Sequence, residues 1–196
     1  MMVIGLTGGI GSGKSTVAKL FSKFNNIAIY NADLEAKKLM NTSSEIKNKL
    51  IKEFSNEVYK SNQLNRPFLA NIVFNNNEKL NSLNSIVHPV VHNHLNNFIK
   101  INNNKEYILY ENAILFENKS NLFCDKIITV TAPIKTRIQR VIKRDNSTYE
   151  DVEKRINNQW KDSKKIIQSH YVIHNLSLNE TEKEISRIHN FLTNTK

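Results

Sequence analysis

An apolar run, Met2-Val-Ile-Gly-Leu-Thr7, stops abruptly at a glycine-rich octapeptide, Gly8-Gly-Ile-Gly-Ser-Gly-Lys-Ser15, and the pattern behind it changes period. Val17, Leu20, Phe21 and Phe24 fall at i, i+3, i+4 and i+7, one apolar stripe of a helix. The octapeptide fits G-x-x-x-x-G-K-[ST] in full, and it stands between a strand and a helix, where that motif works. Such a loop curls consecutive backbone N–H groups around phosphate oxygens, while the positive end of the following helix points at them. Lys14 then neutralises charge between the β- and γ-phosphates, and the Ser15 hydroxyl can ligate Mg²⁺. A glycine-rich turn with a chance lysine is the bland alternative, and the strand–loop–helix context weighs against it. Binding of ATP or GTP follows; the reaction stays open, because the same loop serves kinases, ATPases and switches.

Composition narrows the rest. With 196 residues, 39% of them hydrophobic and 23% charged, the chain suits one α/β domain or one core carrying an inserted lobe. A single cysteine, Cys124, excludes a disulfide framework and a multi-Cys zinc cluster, and a reducing cytoplasm is the expected location. No apolar stretch approaches the length of a membrane span, and no signal peptide follows Met1-Met2. The net charge of +10 calls for an anionic partner without choosing among nucleic acid, phospholipid and small polyphosphates.

Ile27–Tyr30, Tyr107–Tyr110, Lys126–Thr131 and Tyr171–Ile173 read as further strands, most of them followed by helical pattern, which predicts a parallel sheet wrapped by crossovers. Residues 42–100 are mostly helical in pattern, with breaks at Pro67 and Pro89 and asparagine-rich loop tips at 75–77 and 102–104. Ser147-Thr-Tyr-Glu150 matches a capping box and predicts two helices, Ile134–Asp145 and Thr148 to about Gln168, carrying ten Lys/Arg up to Lys165. Ile185, Ile188 and Leu192 give the last segment one apolar face for the sheet.

A GTPase would want Asn-Lys-x-Asp late in the chain, and Asn104-Lys105 is followed by Glu106. A small-molecule kinase needs an acceptor pocket, a carboxylate near the acceptor hydroxyl and basic side chains around the phosphates. Asp33, at the end of the second strand, can orient or deprotonate a hydroxyl; equally it can be a plain helix N-cap. Arg137, Arg140 and Arg144 share one helical face, either a phosphoryl clamp or a solvated basic surface. His88, His92 and His94 do not make a metal site: Pro89 is expected at the first helical position, which leaves His88 outside as a cap-like residue. Trp160, among lysines, either stacks on a base or packs on its own helix near Ile156, and Cys124 reads as a small buried hydrophobe.

Taken in order, the motifs resemble the bacterial dephospho-CoA kinase family almost end to end. The likeness rests on Ile4 to Thr16, Asn31-Ala-Asp33, Leu64-Asn-Arg66, Ile72-Val-Phe74, Ile86-Val-His-Pro89, Arg140-Val-Ile-Lys-Arg-Asp145 with Arg155 and Gln159, and Tyr171-Val-Ile-His-Asn175. It implies a three-layer α/β P-loop kinase fold: a parallel five-stranded sheet (about 1–32, 105–133 and 169–196), a helical acceptor lobe (about 33–104) and a helical lid (about 134–168). It implies transfer of the γ-phosphoryl of ATP to the ribose 3′-hydroxyl of dephospho-CoA, the last step of coenzyme A biosynthesis. Lys14, Asp33 and Arg140 are the implied catalytic residues. Gly8, Gly9, Ile10, Gly11, Ser12, Gly13, Lys14, Ser15, Thr16, Arg144 and Asn175 are implied to bind ATP, and Asp33, Arg66, His88, Glu111 and Leu115 the acceptor. Mg²⁺ is implied at Ser15, carried in with ATP. ATP and dephospho-CoA are the expected partners, with no nucleic acid or membrane, in a monomer or weak homo-oligomer.

Three departures stand out. Glu111-Asn-Ala-Ile-Leu-Phe-Glu117 replaces a stretch that usually opens with Asp; Asn31 replaces the first Asp of an Asp-x-Asp pair; His170 and His174 stand where acidic residues are common. A nucleoside or nucleotide kinase, and more remotely a nucleic-acid-binding NTPase, remain as alternatives.

Overall fold

The computed structural model describes residues 1–73 and 76–194; Phe74 and Asn75, which enter one motif and one expected loop tip, lie outside them. In chain order the elements are β1 (Met2–Thr7), α1 (Lys14–Phe21), β2 (Ile27–Asn31), α2 (Ala32–Thr42), α3 (Ser44–Phe54), β3 (Tyr59–Lys60), β4 (Gln63–Leu64), α4 (Arg66–Val73), α5 (Asn77–Ile101) and β5 (Tyr107–Glu111). They continue with β6 (Lys126–Thr131), α6 (Ile134–Asp145), α7 (Tyr149–Asn157), α8 (Asp162–Ile167), β7 (Tyr171–His174) and α9 (Leu178–Asn194). The chain divides into two compact units, 1–31 with 102–194 of the described residues, and 32–101.

The first unit is a parallel sheet of five strands in the order β2-β5-β1-β6-β7. Period-two alternation sends Ile4, Leu6, Tyr107, Leu109, Ile128, Val130 and Ile173 to one face, where Val17 and Phe21 of α1 and Ile185, Ile188 and Leu192 of α9 bury them. On the other face Thr129 bonds Ser169 Oγ at 2.6 Å, and Thr131 donates to Asp162 Oδ2 at 2.5 Å, which seats α8 beneath β6. Helices thus cover both sides, a three-layer α/β arrangement. The apolar stripe after the glycine loop outruns its helix: α1 ends at Phe21, and Phe24 stacks on His189 from the following turn, ring centroids 3.8 Å apart.

Residues 134–168 form three helices where two were expected. α7 starts from Thr148, whose Oγ1 accepts from Asp151 N–H at 3.2 Å, so the cap is one residue beyond Ser147. The chain leaves the helix at Asn158 and re-enters at Asp162, with Gln159 and Trp160 in the linker.

The second unit packs α2, α3 and α4 against α5, and adds a β3–β4 hairpin that sequence reading missed. Its turn residues Ser61 and Asn62 both take positive φ (48° and 65°) without a glycine to advertise the turn. Pro89 does not start a helix: α5 runs through it from Asn77 to Ile101. Val87, Val91 and Leu95 keep one buried stripe in step across the proline, and that packing offsets the missing N–H. His88 is therefore a half-buried residue inside the helix, and burial lowers its imidazole pKa.

Candidate active site

The phosphate loop lies at the carboxyl end of β1, the strand flanked by β5 and β6, where a parallel sheet opens a crevice. Gly13 caps α1 with φ of 88°, and a Cβ there would collide with the Asn175 amide. That amide donates to Ser12 O at 2.9 Å and its oxygen accepts from Thr181 Oγ1 at 3.2 Å, so the end of β7 and the start of α9 brace the loop.

Glu111 closes β5 beside the loop, directly across from Asn31 in the register of β2 with β5. Its Oε1 accepts from Lys14 Nζ at 2.6 Å and from Ser15 Oγ at 3.0 Å, and its Oε2 accepts from Asn31 Nδ2 at 2.6 Å. Both members of the Lys14–Glu111 pair are largely buried, with side chains 11% and 3% exposed. The lysine is thereby held at the mouth of the loop by a carboxylate one methylene longer than aspartate. Asn31 supplies a donor, where a second carboxylate would have repelled Glu111.

Three arginines expected on one face meet three different environments. Arg137 is buried: Nη1 pairs with Asp162 Oδ1 at 2.8 Å, and Nε donates to Ile10 O at 2.9 Å. Arg140 is half-buried against the loop, with Nη1 3.5 Å from Gly11 O and 3.4 Å from Ser12 O, and Nη2 donating to Asn175 O at 3.0 Å. Arg144 is exposed and bidentate with Asp145 at 2.6 and 3.0 Å, and Arg155 joins the same carboxylate at 2.7 Å. These guanidinium bonds hold the Asp145 carboxyl far below the usual carboxylate range.

Within the second unit, Asp33 is exposed in the first turn of α2, inside the helix, so it is not the N-cap. Arg66 opens α4 and lines an open groove of about 990 Å³ with Lys37, Lys38, Asn41 and His94; His88 is not among the lining residues. Leu115 belongs to the first unit and is fully buried, its Cδ2 2.8 Å from where a Gly5 Cβ would stand. Cys124 is half-buried with Sγ on Ser120 O at 3.6 Å, and burial, reinforced by Asp125, pushes its thiol up to about 12. Among the described residues no group of three or more His, Cys, Asp or Glu could hold a metal, and no helix is long and apolar enough to cross a membrane.

Comparison with known proteins decides the family. The dephospho-CoA kinase family model matches residues 2–180. The chain belongs to the dephospho-CoA kinase family. A dephospho-CoA kinase from Fusobacterium nucleatum is 36% identical over 189 residues, covering 95% of this chain and 96% of its own. The crystal structure of TT1252 from Thermus thermophilus superposes with a TM-score of 0.87 at 27% identity, covering 100% of this chain and 98% of that one. A dephospho-CoA kinase structure from Campylobacter jejuni shares the fold, with a TM-score of 0.64 at 22% identity over 98% and 97% of the two chains.

Set within the dephospho-CoA kinase family, the structure gives several residues partners that sequence reading had not assigned to them. Lys165 was counted with the basic surface, yet it is fully buried, with Nζ 2.9 Å from Glu117 Oε1 and 3.0 Å from Ala113 O. Trp160 was expected to pack on the helix of Ile156, but it lies beyond the end of α7 and stacks on Phe116 with centroids 5.8 Å apart, and its backbone N–H donates to Glu117 Oε1 at 2.9 Å. Lys37 and Lys38 join Arg66 in the groove, and their only advance signal was a basic pair on the helix of Asp33.

Proposed function

We propose that the protein transfers the γ-phosphoryl of ATP to the ribose 3′-hydroxyl of dephospho-CoA, giving CoA and ADP, with the phosphate loop as its nucleotide site. The observation carrying this reading is the complete loop with Lys14 held at its mouth by Glu111. Incoming phosphates offer Lys14 a stronger anionic partner, and the backbone N–H groups of Gly11 and of Gly13 to Thr16 cradle the remaining oxygens. Ser15 Oγ and the Glu111 carboxylate, 3.0 Å apart, are hard oxygen donors of the kind Mg²⁺ takes, and they would hold it with the nucleotide. When bound, the ion neutralises charge developing between the β- and γ-phosphates.

Asp33 orients the acceptor hydroxyl and takes its proton, and Arg140 with Arg144 steadies the transferring group. Asn175 shapes the loop around the nucleotide. Arg66 with Lys37 and Lys38 offers cationic groups to the diphosphate of the acceptor, whereas Leu115, wholly buried, is not available to it. The single thiol suits a cytoplasmic enzyme.

Mass spectrometry of the products from ATP, Mg²⁺ and a panel of acceptors tests the reaction. One added phosphoryl on dephospho-CoA, with nucleosides and nucleotides unchanged, is expected. Phosphorylation of a nucleoside with dephospho-CoA left intact would overturn it.

Arg140→Lys preserves charge but cannot span Gly11 O, Ser12 O and Asn175 O at once, and kcat should fall about tenfold. Lys164→Gln removes a charge lying 3.5 Å over the Trp160 ring and should cost about 0.5–1 kcal/mol of stability with little change in turnover. Steady-state kinetics at low and high salt separate geometry from field. A larger loss of turnover in Lys164→Gln than in Arg140→Lys, erased by salt, would mean that only charge matters.

A further inference from the structure

Ile10, at the outer turn of the phosphate loop, is held by residues 134–168 through its N–H, its C=O and its side chain. Its N–H donates to Gln159 Oε1 at 2.8 Å, and its C=O accepts from Arg137 Nε at 2.9 Å. Its side chain packs on the small apolar cluster of Ile138, Val141 and Val152 that joins α6 to α7. The approach is close enough that a Cβ at Gly9 would strike the Arg137 guanidinium, and one at Gly11 the Arg137 carbonyl. Arg137 is in turn fixed by Asp162, which Thr131 holds at the end of β6.

Gln159 stands in the linker between α7 and α8, next to Trp160, which is pinned to Glu117 and Phe116. One short linker therefore binds the phosphate loop with Gln159 and the segment after β5 with Trp160. An N–H engaged by a side chain is not offered to a phosphate, so the Ile10 amide serves as a handle on the loop while later amides receive the ligand.

We infer that Gln159 is a positioning residue for phosphoryl transfer: through Ile10 it sets the outer turn of the phosphate loop and makes that loop and the 134–168 segment respond to nucleotide together. The side chain acts through the Ile10 backbone. The inference deepens the kinase reading and rests on it for the kinetic arm of its test alone.

Two variants and two readouts test it. Gln159→Leu keeps the bulk but loses the acceptor oxygen, and Gln159→Glu keeps an oxygen at the same reach. In Gln159→Leu, kcat should fall about tenfold while KM for ATP changes less than about threefold, the worth of one well-placed hydrogen bond expressed in the transfer step. Gln159→Glu should recover most of that loss, which a purely structural role would not produce. Hydrogen exchange supplies the second readout without turnover. In the wild-type protein ADP should slow exchange in peptides covering 8–15 and 134–168 alike, whereas in Gln159→Leu it should protect the first and leave the second near its ligand-free rate. Joint protection surviving in Gln159→Leu, or kcat and Tm falling in parallel in both variants, would overturn the assignment. If wild type forms no CoA yet shows coupled exchange with ADP, the acceptor reading is wrong and the coupling stands.

Discussion

Asp33→Asn should lower kcat by roughly 10²–10⁴ while ATP affinity and folding barely change. The structure sharpens this expectation, because the carboxylate has no evident structural task. It is exposed in the first turn of α2 and makes no hydrogen bond or ion pair with another described residue. Its contribution to the fold reduces to an acidic charge near a helix N-terminus, worth about 0.3–1 kcal/mol. For a chain of this size that shifts Tm by no more than about 4 °C. Nucleotide affinity, melting and single-turnover rate, measured on one preparation, separate the possibilities. Turnover surviving within about threefold of wild type would remove Asp33 from the chemistry and leave the acceptor hydroxyl without a named base.

Lys165→Met should be the most damaging change to stability, at about 3–5 kcal/mol, or a Tm loss of roughly 6–20 °C. The ammonium is wholly enclosed and bridges Glu117 Oε1 and Ala113 O, while Glu117 Oε2 is buried with no hydrogen-bond partner among the described residues. Removing the lysine leaves a carboxylate with little water to replace it. A buried pair can cost as much in desolvation as it returns in attraction, so the sharper measurement is a cycle. Lys165→Met combined with Glu117→Gln should regain a good part of the single-variant loss, because the amide oxygen still receives Trp160 N–H and carries no charge. Losses that simply add in the double variant would show that Lys165 fills space and does not neutralise Glu117.

What the sequence disclosed and what it concealed divide along physical lines. The strand, loop and helix of the phosphate site were legible because glycine spacing and the change from period two to period 3.6 are local signals. The five strands were legible for the same reason, since alternation or an unbroken apolar run marks a buried strand. Pro89 was misread because a proline's local preference was allowed to outrank the Val87, Val91, Leu95 stripe that carries α5 through it. The β3–β4 hairpin was invisible because Ser61 and Asn62 adopt their positive φ without glycine. Lys164 and Lys165 look alike in sequence, yet one is exposed over the ring of the half-buried Trp160 and the other is fully buried. Nothing at their spacing separates them; the partners of Lys165, Glu117 and the Ala113 carbonyl, lie 48 and 52 positions away. Arg137 and Gln159 were both named from the sequence, but what they touch was hidden for a related reason, because both bond the Ile10 backbone, 127 and 149 residues away.

The bond from Asn175 to Ser12 spans 163 residues, and Thr181 holds that asparagine in place. A loop whose own residues are synthesised together is therefore finished only by a residue made 163 positions later. A nascent chain halted before Asn175 has every residue of its phosphate loop and none of the brace that shapes it. Contacts of such long range form late, after their loop-closure entropy has been met elsewhere in the fold. Nucleotide binding on a growing chain should then switch on only after the start of α9 has emerged, which makes ATP a reporter of that late contact and not an early template for folding.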